Sequence, residues 1–400
     1  MKIPFASLVG GAANGSGTRY YAFAGQGAYT ATVSTARTPM PVGGVISNLY
    51  VKIAPQLTAG SYVFTLMVNG SATALTCTIS SGASTASDTS NTVNVSAGDL
   101  CEWRVVGSGA DTLTQMATTA VFESNVARVA PLFAGHSTGT DAYFMPPSGI
   151  SLITTEGFGT GTMAVAGDIS YMRVKLTTAP GAGVTRTYTL RKNGADQGLS
   201  VAISDSATEG TSSATVSFSP GDDITIGLVN TGGTPATSHA GIGLTWNPTV
   251  NGYFPLISVA NSAFATTGTR YIPVMGITPG GTTTESNIYE IAPYDMVIDN
   301  MYAEISNAPT GATKSRTFTL RTGGTTDTAL TTTIPDTQIH NEDTNPAHAQ
   351  SITANTLIAI SEVPANTPAA ITAYNRVGMR GYITPTDATG RVNLLMMGVG

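Results

Sequence analysis

The sequence predicts an all-β protein made of three tandem antiparallel β-sandwich domains of jelly-roll type. Three observations carry this expectation. Short runs alternating apolar and polar residues recur about eight times per copy, separated by turn signals at the roughly 8–12-residue interval typical of sandwiches. No stretch has the 3.6-residue apolar period of a helix. One hairpin is written three times along the 400 residues.

The repeated hairpin reads Tyr62-Val-Phe-Thr-Leu-Met-Val-Asn-Gly70, Arg186-Thr-Tyr-Thr-Leu-Arg-Lys-Asn-Gly194 and Arg316-Thr-Phe-Thr-Leu-Arg-Thr-Gly-Gly324. Aromatic and β-branched residues alternate up to Asn-Gly or Gly-Gly, residues that accept the positive φ of a tight two-residue turn. Second strands follow at 75–79, 199–203 and 330–334. Upstream, strands at 49–55, 172–180 and 301–309 each close on a proline, which cannot donate to a ladder. Downstream, Val95-Ser-Ala-Gly-Asp99 matches Phe218-Ser-Pro-Gly-Asp222 and, more loosely, Ile352-Thr-Ala-Asn-Thr356, so the third copy reads as having lost the Gly-Asp turn. The repeats divide the chain into 1–127, 128–250 and 251–400, ordinary domain sizes, the last with an acidic insertion and a terminal strand. Strand order stays open between a jelly roll, expected first, and a simpler sandwich.

An apolar strand opens each copy, at 3–9, 129–134 and 252–257, and a fourth occurs at Arg391-Val-Asn-Leu-Leu-Met-Met397. That fourth strand either completes the third sandwich, the expected outcome, or is offered to a neighbouring subunit's sheet edge. Because the pattern at the first residues recurs inside the chain, it reads as a strand and not as a signal peptide.

Charged residues make up only 10 % of the chain, and the net charge is −6. Residues 1–125 carry five basic and five acidic side chains, 126–248 six and eight, and 249–400 seven and eleven, so any acidic face belongs to the last third. Without a Lys/Arg cluster there is no footprint for nucleic acid or an anionic membrane, and no apolar run reaches the roughly 20 residues of a bilayer span.

Candidate chemistry is sparse. His136, His239, His340 and His348 lack zinc spacing and are expected to be solvated or hydrogen-bonded surface residues. The loop His340-Asn-Glu-Asp-Thr-Asn-Pro-Ala-His348 is the best metal candidate, and a polar surface loop is the expected reading. Asp222-Asp223 reads as turn chemistry by analogy with Asp99. Cys77 and Cys101 align with apparent core positions (opposite Val201 and Ile224), so buried free thiols are expected ahead of a disulfide. Trp103 aligns with Ile226 and reads as core, whereas Trp246 beside Asn247-Pro248 is left undecided. Tyr20, Tyr21, Tyr143 and Tyr271 recur at one repeat position, favouring packing over a glycan platform. No nucleophile elbow, phosphate loop or dinucleotide fingerprint occurs, and no catalytic, cofactor or metal residue is assigned.

The hairpins at 64–70 and 188–194, the Thr-rich strands after them and the turns at 97–99 and 220–222 resemble tumour necrosis factor-like jelly-roll modules of bacterial collagen-like surface glycoproteins and tailed-phage structural proteins. The resemblance implies modules that assemble as trimers, hence an internal pseudo-trimer here. It also implies a non-enzymatic bacteriophage virion protein, foremost a capsid decoration or cement protein assembled in the host cytoplasm. Its partners would be other virion proteins, the major capsid protein first, and copies of itself. The alternative is a receptor- or carbohydrate-binding protein of a phage tail or cell surface.

Overall fold

The computed structural model describes residues 1–383 except 14, 27–29, 33–35, 140–141, 150–152, 262 and 279–280. Strand pairing among them forms six sheets, two each from the spans 2–124, 130–248 and 254–382. The principal strands of the first span are β1 (Lys2–Ala13), β2 (Gly17–Ala22), β3 (Gly44–Ala54), β4 (Ser61–Val68), β5 (Ser71–Ser80), β6 (Thr85–Asp88), β7 (Leu100–Ser108) and β8 (Leu113–Ser124). Those of the second are β9 (Ala130–Gly139), β10 (Tyr143–Met145), β11 (Gly167–Leu176), β12 (Gly181–Lys192), β13 (Ala195–Asp205), β14 (Glu209–Phe218), β15 (Asp223–Thr231) and β16 (Ser238–Pro248). The third contributes β17 (Phe254–Ala260), β18 (Arg270–Ile272), β19 (Met296–Ile305), β20 (Ser315–Thr322), β21 (Thr326–Pro335), β22 (His340–Asp343), β23 (Leu357–Ala365) and β24 (Asn375–Tyr382).

In the first unit one sheet runs β1-β8-β3-β6 and the other β2-β7-β4-β5, and the other two units repeat both orders. First pairs with eighth, second with seventh, third with sixth and fourth with fifth, all antiparallel. This is a long ribbon of paired strands folded over on itself, the jelly-roll order and not that of a simpler sandwich.

Turn chemistry fixes the register. Asn69 and Gly70 have φ 52° and 81°, Asn193 and Gly194 50° and 76°, Gly323 and Gly324 62° and 85°, the two successive positive angles of a type I′ turn. Each Asn also ties the hairpin to the strand beside it: Asn69 donates to Asp99 and accepts from the Leu100 N–H, as Asn193 does with Asp222 and Asp223. The third copy departs from the sequence reading here, because the turn survives without Gly-Asp. Asn355 takes φ 66° in place of Gly98 and Gly221, and the Thr356 N–H still donates to the Thr353 carbonyl.

Alternation then sets the cores. Phe64 and Leu66, Tyr188 and Leu190, and Phe318 and Leu320 face inward at equivalent positions against Cys101, Trp103 and Val105, Ile224, Ile226 and Leu228, and Ile358 and Ile360. The Trp103 indole N–H donates to the Phe23 carbonyl at 2.9 Å. One position earlier in phase, Tyr62, Arg186 and Arg316 are fully buried and reach backbone carbonyls of the loop before the last strand: Asp111, Ala236 and Ala369. In the third unit Arg316 also meets buried Glu362 at 2.6 Å.

The units touch in a cycle. A short segment before each third strand, at 38–39, 161–162 and 290–291, pairs with its own seventh strand and lies on the first-listed sheet of the following unit. The contact falls on equivalent carbonyls: a Cβ on Gly243 would sit 2.4 Å from Pro39 O, and one on Gly378 2.2 Å from Thr162 O. At the third boundary that place is held by Thr119, whose hydroxyl donates to Ile291 O at 2.7 Å. The first unit thus packs on the second, the second on the third and the third on the first. Strands β1, β9 and β17 together wall an apolar cavity of about 50 Å³, with Phe5, Leu132, Phe133, Trp246, Phe254 and Ile257 among its lining. Among the described residues, Pro4, Pro131 and Pro255 lie where these strands have a neighbour on one side only, the setting proline tolerates.

Candidate functional site

A polar cleft lies where the second unit meets the third. It is about 690 Å³ and is lined by Asn193, Gly221 and Asp223 of the second unit and by Tyr302, Glu304 and residues 337–342 of the third. A second cleft of about 290 Å³ shares Asn193 and Asp223 with it and adds Glu156, Thr160, Arg191, Thr225 and Arg376.

Arg376 organises both. It is 3 % exposed, with Nη1 2.6 Å from Asp223 and Nη2 3.1 Å from Glu304, and its guanidinium lies 4.2 Å from the Tyr374 ring centroid. The Tyr374 hydroxyl donates to Glu304 at 3.1 Å. Burial raises the Glu304 carboxyl, and Arg376 opposes that rise. Among the described residues the buried Arg376 Nε–H has no hydrogen-bond partner. Arg191 has a scaffolding role: it grips Glu156 at 2.7 and 3.2 Å, as Arg321 grips Glu285 at 2.6 and 3.2 Å one unit later.

The other boundaries carry different side chains at the same positions. Registers align Tyr50, Arg173 and Tyr302; Lys52, Lys175 and Glu304; and Ala117, Gly241 and Arg376. Between the first and second units, Gly241 lets the backbone of 37–39 approach until an added Cβ would sit 2.3 Å from Arg37 O. The Arg173 guanidinium lies over Gly98, 3.0 Å from where its Cβ would be. What remains is a space of about 160 Å³ lined by Arg37, Lys175, Thr208 and His239 among others. At the next boundary Arg376 stands at the position of Gly241. At the third, Asn48 donates to Pro293 O at 3.1 Å.

Residues singled out from the sequence are dispersed. Asp222 is a turn residue, accepting from the Ser219 N–H, whereas Asp223 belongs to the cleft. His136 corrects the surface expectation: it is 1 % exposed in the second core, its Nε2 2.8 Å from the Tyr188 hydroxyl, because β9 continues through it and turns it inward. His239 is half-buried, and burial lowers its pKa. His348 pairs with Asp343 at 2.8 Å; Asp343 also accepts from the Thr331 N–H, as Asp88 does from Thr76. His340 lines the cleft instead. Among the described residues no group of three or more His, Cys, Asp or Glu surrounds a common metal position.

Cys77 and Cys101 are buried free thiols, 7 % and 0 % exposed. Trp103 and Trp246 are both fully buried. Tyr21 is buried with its hydroxyl 2.6 Å from Thr118, Tyr143 is buried, and Tyr20 and Tyr271 are half-buried. The strand expected at 391–397 lies outside the described residues.

No protein-family model and no curated protein matches the chain. Among solved structures, one titled "The Triple Jelly Roll Fold and Turret Assembly in an Archaeal Virus" is 11 % identical over 94 % of this chain and 91 % of that one, with a TM-score of 0.22. A structure of infectious bursal disease virus, Gt strain, is 10 % identical over 98 % and 83 %, with a TM-score of 0.19. Scores this low carry nothing for fold or function, and the fold rests on the strand order above.

Proposed function

We propose that the chain is a non-enzymatic structural protein of a virion, with domains 1–127, 128–250 and 251–400 forming one covalently linked pseudo-trimer of jelly rolls. The carrying observation is the cycle of contacts, in which each unit lays one backbone carbonyl on the same strand of the next and the first strands share an apolar centre. Such a head-to-tail contact either closes or propagates, and here the third unit returns to the first, leaving a block that completes itself within one chain. The finer reading is a capsid decoration or cement protein of a bacteriophage. In that role its outer faces seat on the major capsid protein or other virion proteins by shape-matched burial.

With 10 % charged residues, this mode of attachment depends little on ionic strength. The test is sedimentation of the purified chain with and without empty capsids of the source particle. A chain that is monomeric alone and co-sediments at fixed stoichiometry, unaffected by moderate salt, supports the reading. A chain that never co-sediments, or is released by moderate salt, overturns it.

A further inference from the structure

We propose that Asn251, in the connector between the second and third units, is a site of spontaneous modification, where the side-chain amide is lost through a succinimide and leaves aspartate or isoaspartate. This goes beyond the structural role and does not depend on it. The reaction needs an asparagine followed by an unshielded N–H, and glycine, without a Cβ, shields its own least. The sequence holds four Asn-Gly pairs, beginning at Asn14, Asn69, Asn193 and Asn251; Asn14 lies outside the described residues.

Asn69 and Asn193 are each tied down by three hydrogen bonds. The Asn69 N–H donates to the Leu100 carbonyl at 2.8 Å, its side-chain amide donates to Asp99 at 2.8 Å, and its side-chain oxygen accepts the Leu100 N–H at 2.9 Å. Asn193 repeats them, its N–H on the Asp223 carbonyl at 3.2 Å, its amide on Asp222 at 2.8 Å and its oxygen under the Asp223 N–H at 2.8 Å. Ring closure swings the side chain onto the following nitrogen and rotates the backbone between them, so in these hairpins it has to break such bonds first.

Asn251 is exposed, and among the described residues neither its N–H nor its side chain has a hydrogen-bond partner. With Gly252 it forms the centre of a turn whose Tyr253 N–H reaches the Val250 carbonyl at 3.2 Å. Gly252 has φ 92°, which glycine adopts at no steric cost, and a Cβ built on it would meet nothing within 4 Å. The connector is anchored outside the turn, by the Thr249 N–H on the Ala166 carbonyl at 2.9 Å and by buried Phe254.

Hydroxide takes the Gly252 N–H proton, and the nitrogen attacks the side-chain carbonyl carbon of Asn251. A new C–N bond forms, the bond to Nδ2 breaks, and ammonia leaves after taking a proton from water. Water then opens the ring at either carbonyl, giving aspartate, or isoaspartate with the main chain running through the side-chain methylene. Both products carry a new negative charge at neutral pH.

The test is peptide mapping by mass spectrometry of the full chain, aged at mildly alkaline pH in native buffer and in urea, with heavy-oxygen water to mark each ring opening. In the native chain Asn251 is expected to convert at least about tenfold faster than Asn69 or Asn193, since those two must give up their hydrogen bonds. In urea the three rates should converge. Asp222→Thr, which places the third copy's residue in the second copy's turn, should speed Asn193 in the native chain and leave Asn251 and the urea rates unchanged. Native Asn69 or Asn193 converting as fast as Asn251, Asn251 staying intact in the native chain, or no effect of Asp222→Thr would each overturn the proposal.

Discussion

Replacing Glu290 by Gln should change how the stability of the chain depends on pH. Glu290 lies in the segment that seats the third unit on the first and is fully buried. Its Oε2 accepts the Val274 and Met275 N–H groups at 2.8 and 2.9 Å, while Oε1 has no partner among the described residues. Burial pushes the carboxyl from 4.5 up to about 8, against the pull of the two amides. Between those values the folded chain holds a proton that the unfolded chain has released, so folding takes up a proton and stability falls as pH rises through the window, levelling off above about 8. At 1.36 kcal/mol per unit the full gap has a ceiling of about 5 kcal/mol, and relaxation around the ion is expected to reduce it to about half.

Glutamine keeps an oxygen for the two amides and cannot ionise. In urea titrations followed by circular dichroism from about pH 5 to about pH 9, the variant should resemble the parent at the acid end. It should exceed the parent by about 2 kcal/mol or more at the alkaline end. Other buried acids, Glu102 pushed to about 7 among them, are common to both proteins and cancel in the difference. Parallel curves over the whole range would refute the reasoning.

Three further outcomes are expected. Gly378→Val drives a side chain into the Thr162 carbonyl and should cost about 1–3 kcal/mol, with faster proteolysis at residues 249–253 as the boundary opens; unchanged melting and cleavage would count against the close approach. Arg316→Met leaves Glu362 buried without its cation and should cost about 3–5 kcal/mol, whereas adding Glu362→Leu should recover most of the loss; a double variant no better than the single would refute this, as measured in the same urea titrations. Cys77 and Cys101 should resist a maleimide in the native chain and react fully in urea, since burial pushes Cys77 up to about 12 and Cys101 upward too; rapid native labelling would contradict their placement.

Much of the fold was legible because local rules and long-range pairing agree. Asn-Gly turns with alternating flanks located the hairpins, and alignment of Cys101 and Trp103 with Ile224 and Ile226 located an inward face. Strand order was not legible, since pairing first with eighth and second with seventh leaves no mark on local pattern. His136 was misjudged because its repeat equivalents are not histidines, although its place in β9 admits an inward-facing residue. The signal for buried Arg186 and Arg316 was present: each stands in phase with the aromatic and leucine that follow at two and four residues. The cleft was invisible because Asp223, Tyr302, Glu304 and Arg376 come from different strands of two units, and only the cycle of contacts brings them together.

Joining the three units in one chain has a consequence for how such a block is oriented. A ring of identical subunits looks the same after each third of a turn, so a neighbour with a single contact point meets it in three equivalent ways. Here the sectors differ: Arg376 with Tyr302 at one seam, Arg173 with Gly241 at another, Thr119 at the last. The block therefore has a heading. Any surface that recognises one seam also fixes where the other two point, so attachment at a single place determines the rotational setting of the whole molecule.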